Sequence, residues 1–383
     1  MDSTQAWQCY ADNVVKLAIG NIDNQFQWFC SAGLTTPYAL INSQNEIIND
    51  AVYQLGNSIP ALSNSYIPYS DLFTSYQLFL NMLTPAMLGI KGSNTLLLSS
   101  TAQQMQQDIA KQLSALTRDT SSFSVDPVNF VRKRAAVFKK IRVQERALMG
   151  EFKANNQQQY ANIITDARNK VWLASNMMQV NGLNMTSTTT PGLYFPRFEM
   201  PNFVEQFTRW QTDVVNPVVI EISQSTVNKQ KGLENKCAQG IATAINRNLS
   251  PNVNLSDPIV AHSSSIEVGF QRLGSFDINP GRWFNLSLIR LQRKANPNGM
   301  KLFFGENGTL GLLPTQIVLG FRPWVRYRMT DAMYRANKST FQKLIAGSKD
   351  SRYQFKDVEA TIEYGPTNTN LPTLVGVLST RIN

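Results

Sequence analysis

The chain is predicted to be an α+β protein, with an elongated N-terminal helical bundle over residues 1–250 and an antiparallel, sandwich-like β domain over residues 259–383. Three observations predict it. From Asp126 to about Val180 apolar residues recur at helical spacing with no proline after Pro127, a tract that would make about 80 Å of rod at ~1.5 Å per residue. Just upstream, residues 72–98 carry a single charge, Lys91. Beyond Pro258 the helical spacing gives way to strict alternation.

Taken in order, the chain opens with two helical patterns. Val14, Leu17, Ala18, Ile22 and Phe26 recur at three-to-four spacing over residues 11–30, and Ile47, Ile48, Ala51 and Leu55 over residues 41–57. Gly33 to Pro37 interrupts the chain between them, and Pro60 and Pro68 interrupt it after the second. The apolar run 72–98 follows, with Pro85, Gly89 and Gly92 inside it, so it reads as two arms around a turn. A glutamine-rich helix spans about Ser99 to Thr117, with Ala102, Met105, Ile109, Leu113 and Leu116 along a narrow stripe that suits a neighbouring helix.

Asp126 then Pro127 is a cap followed by proline at the first helical position, which opens the long helix. Its apolar stripe runs from Val128 through Phe138, Leu148 and Phe152 to Tyr160, Val171 and Met178. The amide tract Asn155 to Gln159 is the place for a bend, because those side chains have little to bury. Gly182 ends the pattern, and TSTTTP (Thr186 to Pro191) reads as a linker. Further helical stretches are expected at about Asn202 to Asn216 and Val218 to Asn246. In the β half, strands are expected at Ile266 to Phe270, Leu286 to Leu288, Ile317 to Phe321, Val325 to Met329 and Val358 to Tyr364, with one short helix at Met333 to Ile345.

The 383 residues include 36 Lys and Arg against 26 Asp and Glu, a net charge of +10 that favours anionic partners. Motifs for chemistry are sparse. The single histidine, His262, stands beside serines, but adjacent His and Ser do not make a triad. Glu359 and Glu363 are four apart on one face of an alternating segment. Three cysteines, Cys9, Cys30 and Cys237, lack metal-ligand spacing and admit either buried thiols or one Cys9–Cys30 disulfide. No metal, no cofactor and no enzymatic activity are expected.

Two basic groups are the candidates for anionic surfaces. The first is on the long helix and includes Arg132, Lys133, Lys139 and Lys140; the second interleaves Arg322, Trp324, Arg326, Tyr327 and Arg328. In a strand, Arg326 and Arg328 share one face and Tyr327 takes the other. A solvated helix face and an ordinary aromatic core explain the same residues without a ligand. The run 72–98 is either the buried centre of the bundle or an element for membrane insertion through Leu78, Leu80, Leu83, Leu88, Leu96, Leu97 and Leu98. Each arm is too short to cross a ~30 Å hydrocarbon core as a helix.

Long helix, concealed apolar segment, few catalytic residues and a terminal β domain together resemble the general plan of α-helical pore-forming toxins, including some insecticidal ones. The resemblance implies a protein that binds a membrane lipid, glycan or receptor through its β domain, forms a homo-oligomer and inserts residues 72–98. The N-terminus lacks a signal peptide, so release by a non-classical route and then membrane association is the matching expectation. The alternative is a viral coat or nucleoprotein that binds nucleic acid through its basic surfaces.

Overall fold

The computed structural model describes residues 3–21, 26–30, 39–40, 58–61, 64–90, 99–117, 127–155, 157–175, 198–223, 262–296, 298, 300–305, 308–347, 353–358, 360–366 and 372–382. Helices and antiparallel sheets are mixed, so the chain is α+β. It divides into two compact units, and each is gathered from separate stretches. The first comprises Met1–Ala51, Met200–Ile278 and Thr315–Ser379; the second comprises Val52–Glu199, Asn279–Pro314 and Thr380–Asn383. Neither coincides with residues 1–250 or 259–383.

In the first unit, α1 (Ser3–Ala18) buries Ala6, Cys9, Tyr10 and Val14 and ends where Gly20 takes φ 100 and its N–H turns back to the Val15 carbonyl. The helix predicted to reach residue 30 therefore stops early. Aromatic residues over Phe26–Cys30 form a strand, β1, instead. Two five-stranded sheets follow. One runs β1, β12 (Pro372–Arg381), β8 (Leu312–Phe321), β7 (Arg272–Asp277), with β2 (Ala39–Leu40) also on β12. The other runs β10 (Tyr353–Val358), β11 (Thr361–Pro366), β9 (Trp324–Arg328), β6 (Ser265–Phe270), β5 (Val218–Ser223).

The chain passes between these sheets twice, at Gln271 and at Arg322–Pro323. Both passages are tied together: the Gln271 N–H donates to the Phe321 carbonyl at 2.8 Å, and Arg322, at φ 48, donates through Nη1 to Gln271 Oε1 at 2.7 Å. Helix α6 (Phe203–Thr212) lays Phe203, Phe207 and Trp210 against Phe276 and Phe321. The amphipathic segment expected from Val218 begins as β5, because β-branched residues alternate buried Ile220 and Ile222 with exposed Val219 and Glu221. The expected helix Met333 to Ile345 is present as α9 (Asp331–Gly347).

The second unit packs α2 (Leu72–Met82), α3 (Ser100–Thr117), α4 (Pro127–Ala154) and α5 (Gln158–Ser175), with contacts α2 to α3, α3 to α4, α4 to α5 and α2 to α5. Pro127 does open the long-helix tract, but the tract is two helices. The Gln157 N–H caps the Phe152 carbonyl at 2.9 Å, and Asn155 turns both its N–H and its side-chain amide onto the Glu151 carbonyl. The chain then reverses, as two contacts at matched distances from the turn require: Phe152 on Tyr160 with centroids 4.5 Å apart, and Glu145 Oε1 on Arg168 Nε at 3.3 Å. The corner thus falls at Asn155 and Gln157, and Gln158 and Gln159 already belong to α5. A rod of about 80 Å does not form.

Trp283, in a 3-10 turn (Gly281–Trp283), centres an aromatic cluster with Phe73, Tyr76, Phe198 and Phe284. Leu286 and Leu288, expected in a strand, belong to α7 (Leu286–Ala295). Asn285 caps that helix by accepting the Leu288 N–H at 3.0 Å, and this local bond outweighs a two-residue alternation. A short α8 (Lys301–Phe304) adds Phe303. Ahead of α2, β3 (Ser58–Ala61) and β4 (Asn64–Asp71) make a two-stranded sheet whose register shifts beside Pro60. The helical pattern at 41–57, Gly182 and the TSTTTP linker lie outside the described residues.

Candidate functional site

The residues predicted for membrane insertion are placed as follows. Leu78, Leu80 and Leu83 are 2%, 0% and 0% exposed, and every residue from Leu72 to Asn81 is buried. This explains the absence of charge from Leu72 to Asn81: none of these positions faces water, and an unpaired charge there would be desolvated. Leu88 is half-buried in the turn Pro85–Gly89, which closes with Leu88 N–H to Thr84 and Pro85 carbonyls and Gly89 at φ 68. Leu96, Leu97 and Leu98 lie outside the described residues. No helix among the described residues is long and apolar enough to cross a membrane.

Several polar groups buried with α2 are joined to its neighbours, while Ser75 Oγ and Gln77 Nε2 have no hydrogen-bond partner among the described residues. Asn81 and Gln106 exchange side-chain-to-carbonyl bonds at 3.1 and 2.8 Å, Tyr160 donates to the Leu83 carbonyl at 2.8 Å, and Tyr76 accepts from the Asn285 N–H at 3.2 Å. Burial pushes both phenols up to about 12, in Tyr76 against the Asn285 bond and in Tyr160 against the nearby Arg168 charge.

Of the second predicted group, Trp324, Arg326, Tyr327 and Arg328 lie on β9, and Arg322 lies in the passage before it. The register sets Arg326 opposite Glu267 on β6 and Glu363 on β11, and its guanidinium meets both, at 3.0 and 3.1 Å. Arg328 reaches Glu267 at 2.8 Å. The row continues to Lys356 on β10 and Glu221 on β5, so basic and acidic positions alternate across four strands before two acids meet at the edge. Tyr327 is on the opposite face, fully buried, with its phenol raised by desolvation. The strand is therefore basic in sequence and close to neutral in place. Glu363 lies on β11, and Ala360 at φ 56 turns the chain between Val358 and Thr361; Glu359 lies outside the described residues.

Trp324 lies over the backbone of Gly269, with Arg326 stacked on it at 4.8 Å. A Cβ at position 269 would stand 2.0 Å from the indole, so Gly269→Ala is expected to expel Trp324 and lower stability by about 1–3 kcal/mol. Denaturant titration in a double-mutant cycle checks it: after Trp324→Ala, the same glycine change should cost little.

The first predicted group differs. Lys139 and Lys140 are exposed on α4, while Arg132 and Lys133 take helical positions on its first turns. Arg132, Lys139, Arg146 and Lys153 stand seven residues apart, and Arg142 falls on the same side, so five cationic positions share a sector of about 80° along ~30 Å of helix. The two carboxylates of this stretch are drawn off the stripe. Glu151 Oε2 accepts from Ser99 Oγ at 3.3 Å, and Glu145, with a side chain 5% exposed, faces Arg168.

Along the stripe, α4 and α5 enclose a cleft of about 240 Å³ lined by Arg142, Glu145, Arg146 and Lys153 from α4 and by Thr165 and Arg168 from α5. Arg168 is 6% exposed. Its Nη2 donates to Asn81 Oδ1 at 3.3 Å, and its Nε meets Glu145 Oε1 at ion-pair distance without hydrogen-bond geometry. Its Nη1 and the Thr165 hydroxyl have no hydrogen-bond partner among the described residues. Each buried donor left in that state costs about 1–3 kcal/mol.

No match decides the function. Comparison with family models, with curated proteins and with solved structures finds none for this chain. Among the described residues no group of three His, Cys, Asp or Glu side chains could hold a metal ion. His262 is half-buried beside buried Ser263, and the Ser264 N–H and hydroxyl both donate to the Arg328 carbonyl. Cys9 is a buried thiol. The sequence reading missed Arg168 and Thr165, which reach the basic helix only through the reversal at 155–157. The seven-residue recurrence of cations was there to be counted.

Proposed function

We propose that the protein binds nucleic acid along the cationic stripe of α4, as a coat or nucleoprotein does, and assembles in several copies on one strand. The observation that carries this reading is the heptad line Arg132, Lys139, Arg146, Lys153, whose two nearby carboxylates have partners off the line, Glu151 with Ser99 and Glu145 with Arg168. A line of charges matches the repeating phosphates of a strand better than it matches a compact ligand. The β9 group supports the same choice by default, since Glu267 and Glu363 already occupy Arg326. Within this reading α2 to α5 serve as a helical bundle and the two five-stranded sheets as a sandwich.

Four phosphates neutralised on a single strand give log K against log salt a slope of about −3. Replacing Lys139 and Arg146 together by glutamine is expected to weaken binding of a short oligoribonucleotide and to flatten that slope by about 1.4, read by fluorescence anisotropy at several salt concentrations. Binding indifferent both to salt and to these substitutions would overturn the reading.

A second reading, pore formation by an oligomer, is favoured by one observation: α2 is uncharged and buried from Leu72 to Asn81, as a concealed insertion element would be. It requires α2 to leave its neighbours on contact with lipid. Dye release from anionic vesicles, with no salt-sensitive binding of RNA, would select it.

A further inference from the structure

We propose that the cleft between α4 and α5 is a binding site for a dianionic phosphate group, carried as a monoester on the phosphorylated end of a nucleic-acid strand and free as inorganic phosphate. The strand as its source rests on the reading above; the phosphate site does not.

Charge is the first support. Among the described residues, Arg142, Arg146, Lys153 and Arg168 line the cleft against one carboxylate, Glu145, which already lies 3.3 Å from Arg168 Nε. A surplus of this size suits a dianion better than the single charge of an internal diester. Donor inventory is the second. Arg168 is held at two of its nitrogens, by Asn81 and by Glu145, and this fixes the guanidinium plane. Its Nη1 and the Thr165 Oγ1 are left without acceptors among the described residues, on the wall of the same cleft. A tetrahedral phosphate has three terminal oxygens and can accept from α4 and α5 at once, whereas a planar carboxylate presents two.

Size is the third support. The cleft, about 240 Å³, falls below the roughly 300–1,000 Å³ of sites that enclose a whole drug-sized ligand. It accepts a phosphorylated end and leaves the rest of the ligand outside. There the stripe continues through Lys139, on the same side of α4 but not among the lining residues. A strand terminus held in the cleft would fix the register of the phosphates that follow it along the helix.

The test uses the full chain and two labelled oligoribonucleotides that differ only in a 5′-phosphate or a 5′-hydroxyl, with inorganic phosphate in parallel as a thermal-shift ligand. The phosphorylated strand is expected to bind about tenfold more tightly, the weight of one or two charge-assisted hydrogen bonds. That preference should vanish in Thr165→Val and Arg168→Lys, while Lys139→Gln should weaken both strands and leave their ratio unchanged. If Arg168→Lys fails to fold by circular dichroism, Thr165→Val and Arg146→Gln carry the comparison. Equal affinity for the two strands, with no thermal shift by inorganic phosphate, overturns the cleft proposal and leaves nucleic-acid binding standing. A thermal shift by inorganic phosphate that disappears in Thr165→Val, with neither strand bound, upholds the cleft and overturns the strand as its source.

Discussion

Leu80→Asp is expected to unfold the second unit. Leu80 is 0% exposed on a helix whose residues from Leu72 to Asn81 are all buried, and α3 and α5 pack against it. An aspartate there must either lose its hydration as an anion or be protonated, and it also leaves the space of a leucine side chain poorly filled. The combined penalty is on the order of 4–7 kcal/mol, against a total stability of about 5–15 kcal/mol for an ordinary domain. Loss of the far-UV helical signal at room temperature, or insolubility on expression, is the expected readout. The change also separates the two readings of the apolar run. A variant that folds like the parent but no longer releases dye from vesicles would mean that α2 is held loosely for insertion; an unfolded one means that it is core.

Raising the pH above 10 is expected to remove a large share of the same unit's stability. Tyr76 and Tyr160 have phenols pushed up to about 12 by burial, against an ordinary value of about 10 in the unfolded chain. Because the folded values are the higher ones, the fold binds these protons more tightly. Their contribution is complete below pH 10 and is lost as pH rises from 10 to 12. The slope is about 1.4 kcal/mol per pH unit for each tyrosine, or on the order of 5 kcal/mol for both across the window. Tyr327, wholly buried in the first unit, acts in the same direction there. Denaturant midpoints taken through this range, with phenolate absorbance recorded alongside, check it. Tyr76→Phe should remove about half of the slope assigned to the second unit, and midpoints flat from pH 9 to 12 would refute the assignment.

The sequence was most informative where one physical signal acted alone. Ala102, Ile109, Leu113 and Leu116 mark the buried side of α3 because a single partner face suffices to bury them. Ile266, Val268, Val325 and Tyr327 mark buried strand positions by alternation. It was least informative where a tertiary contact arbitrates between two local options. Phe26–Cys30 follows a helix and could extend its pattern, but its backbone pairs with β12. The tract 126–180 has one continuous apolar stripe because α4 and α5 each need an inward face, and a stripe carries no mark of the direction in which the second helix runs. Basic residues were equally ambiguous: Arg326 and Lys139 look alike in a row of letters, yet only the strand register shows that Arg326 has two carboxylates opposite it. The cleft could not be read at all, since Arg168 meets Asn81 across 87 positions of chain.

The pairing of β1 and β2 with β12 has a consequence for how the protein is made. β1 and β2, which end by residue 40, find their partner in β12 at residues 372–381, more than 330 residues further along the chain. At about 5–20 residues per second, the N-terminal strands wait on the order of 20–70 s before a partner edge exists. Helix α1 waits as well, for β5 and β7. During that interval their apolar faces are available to any other surface in the cell, so yield on expression should respond to translation speed and to chaperone supply more than the stability of the finished protein would suggest.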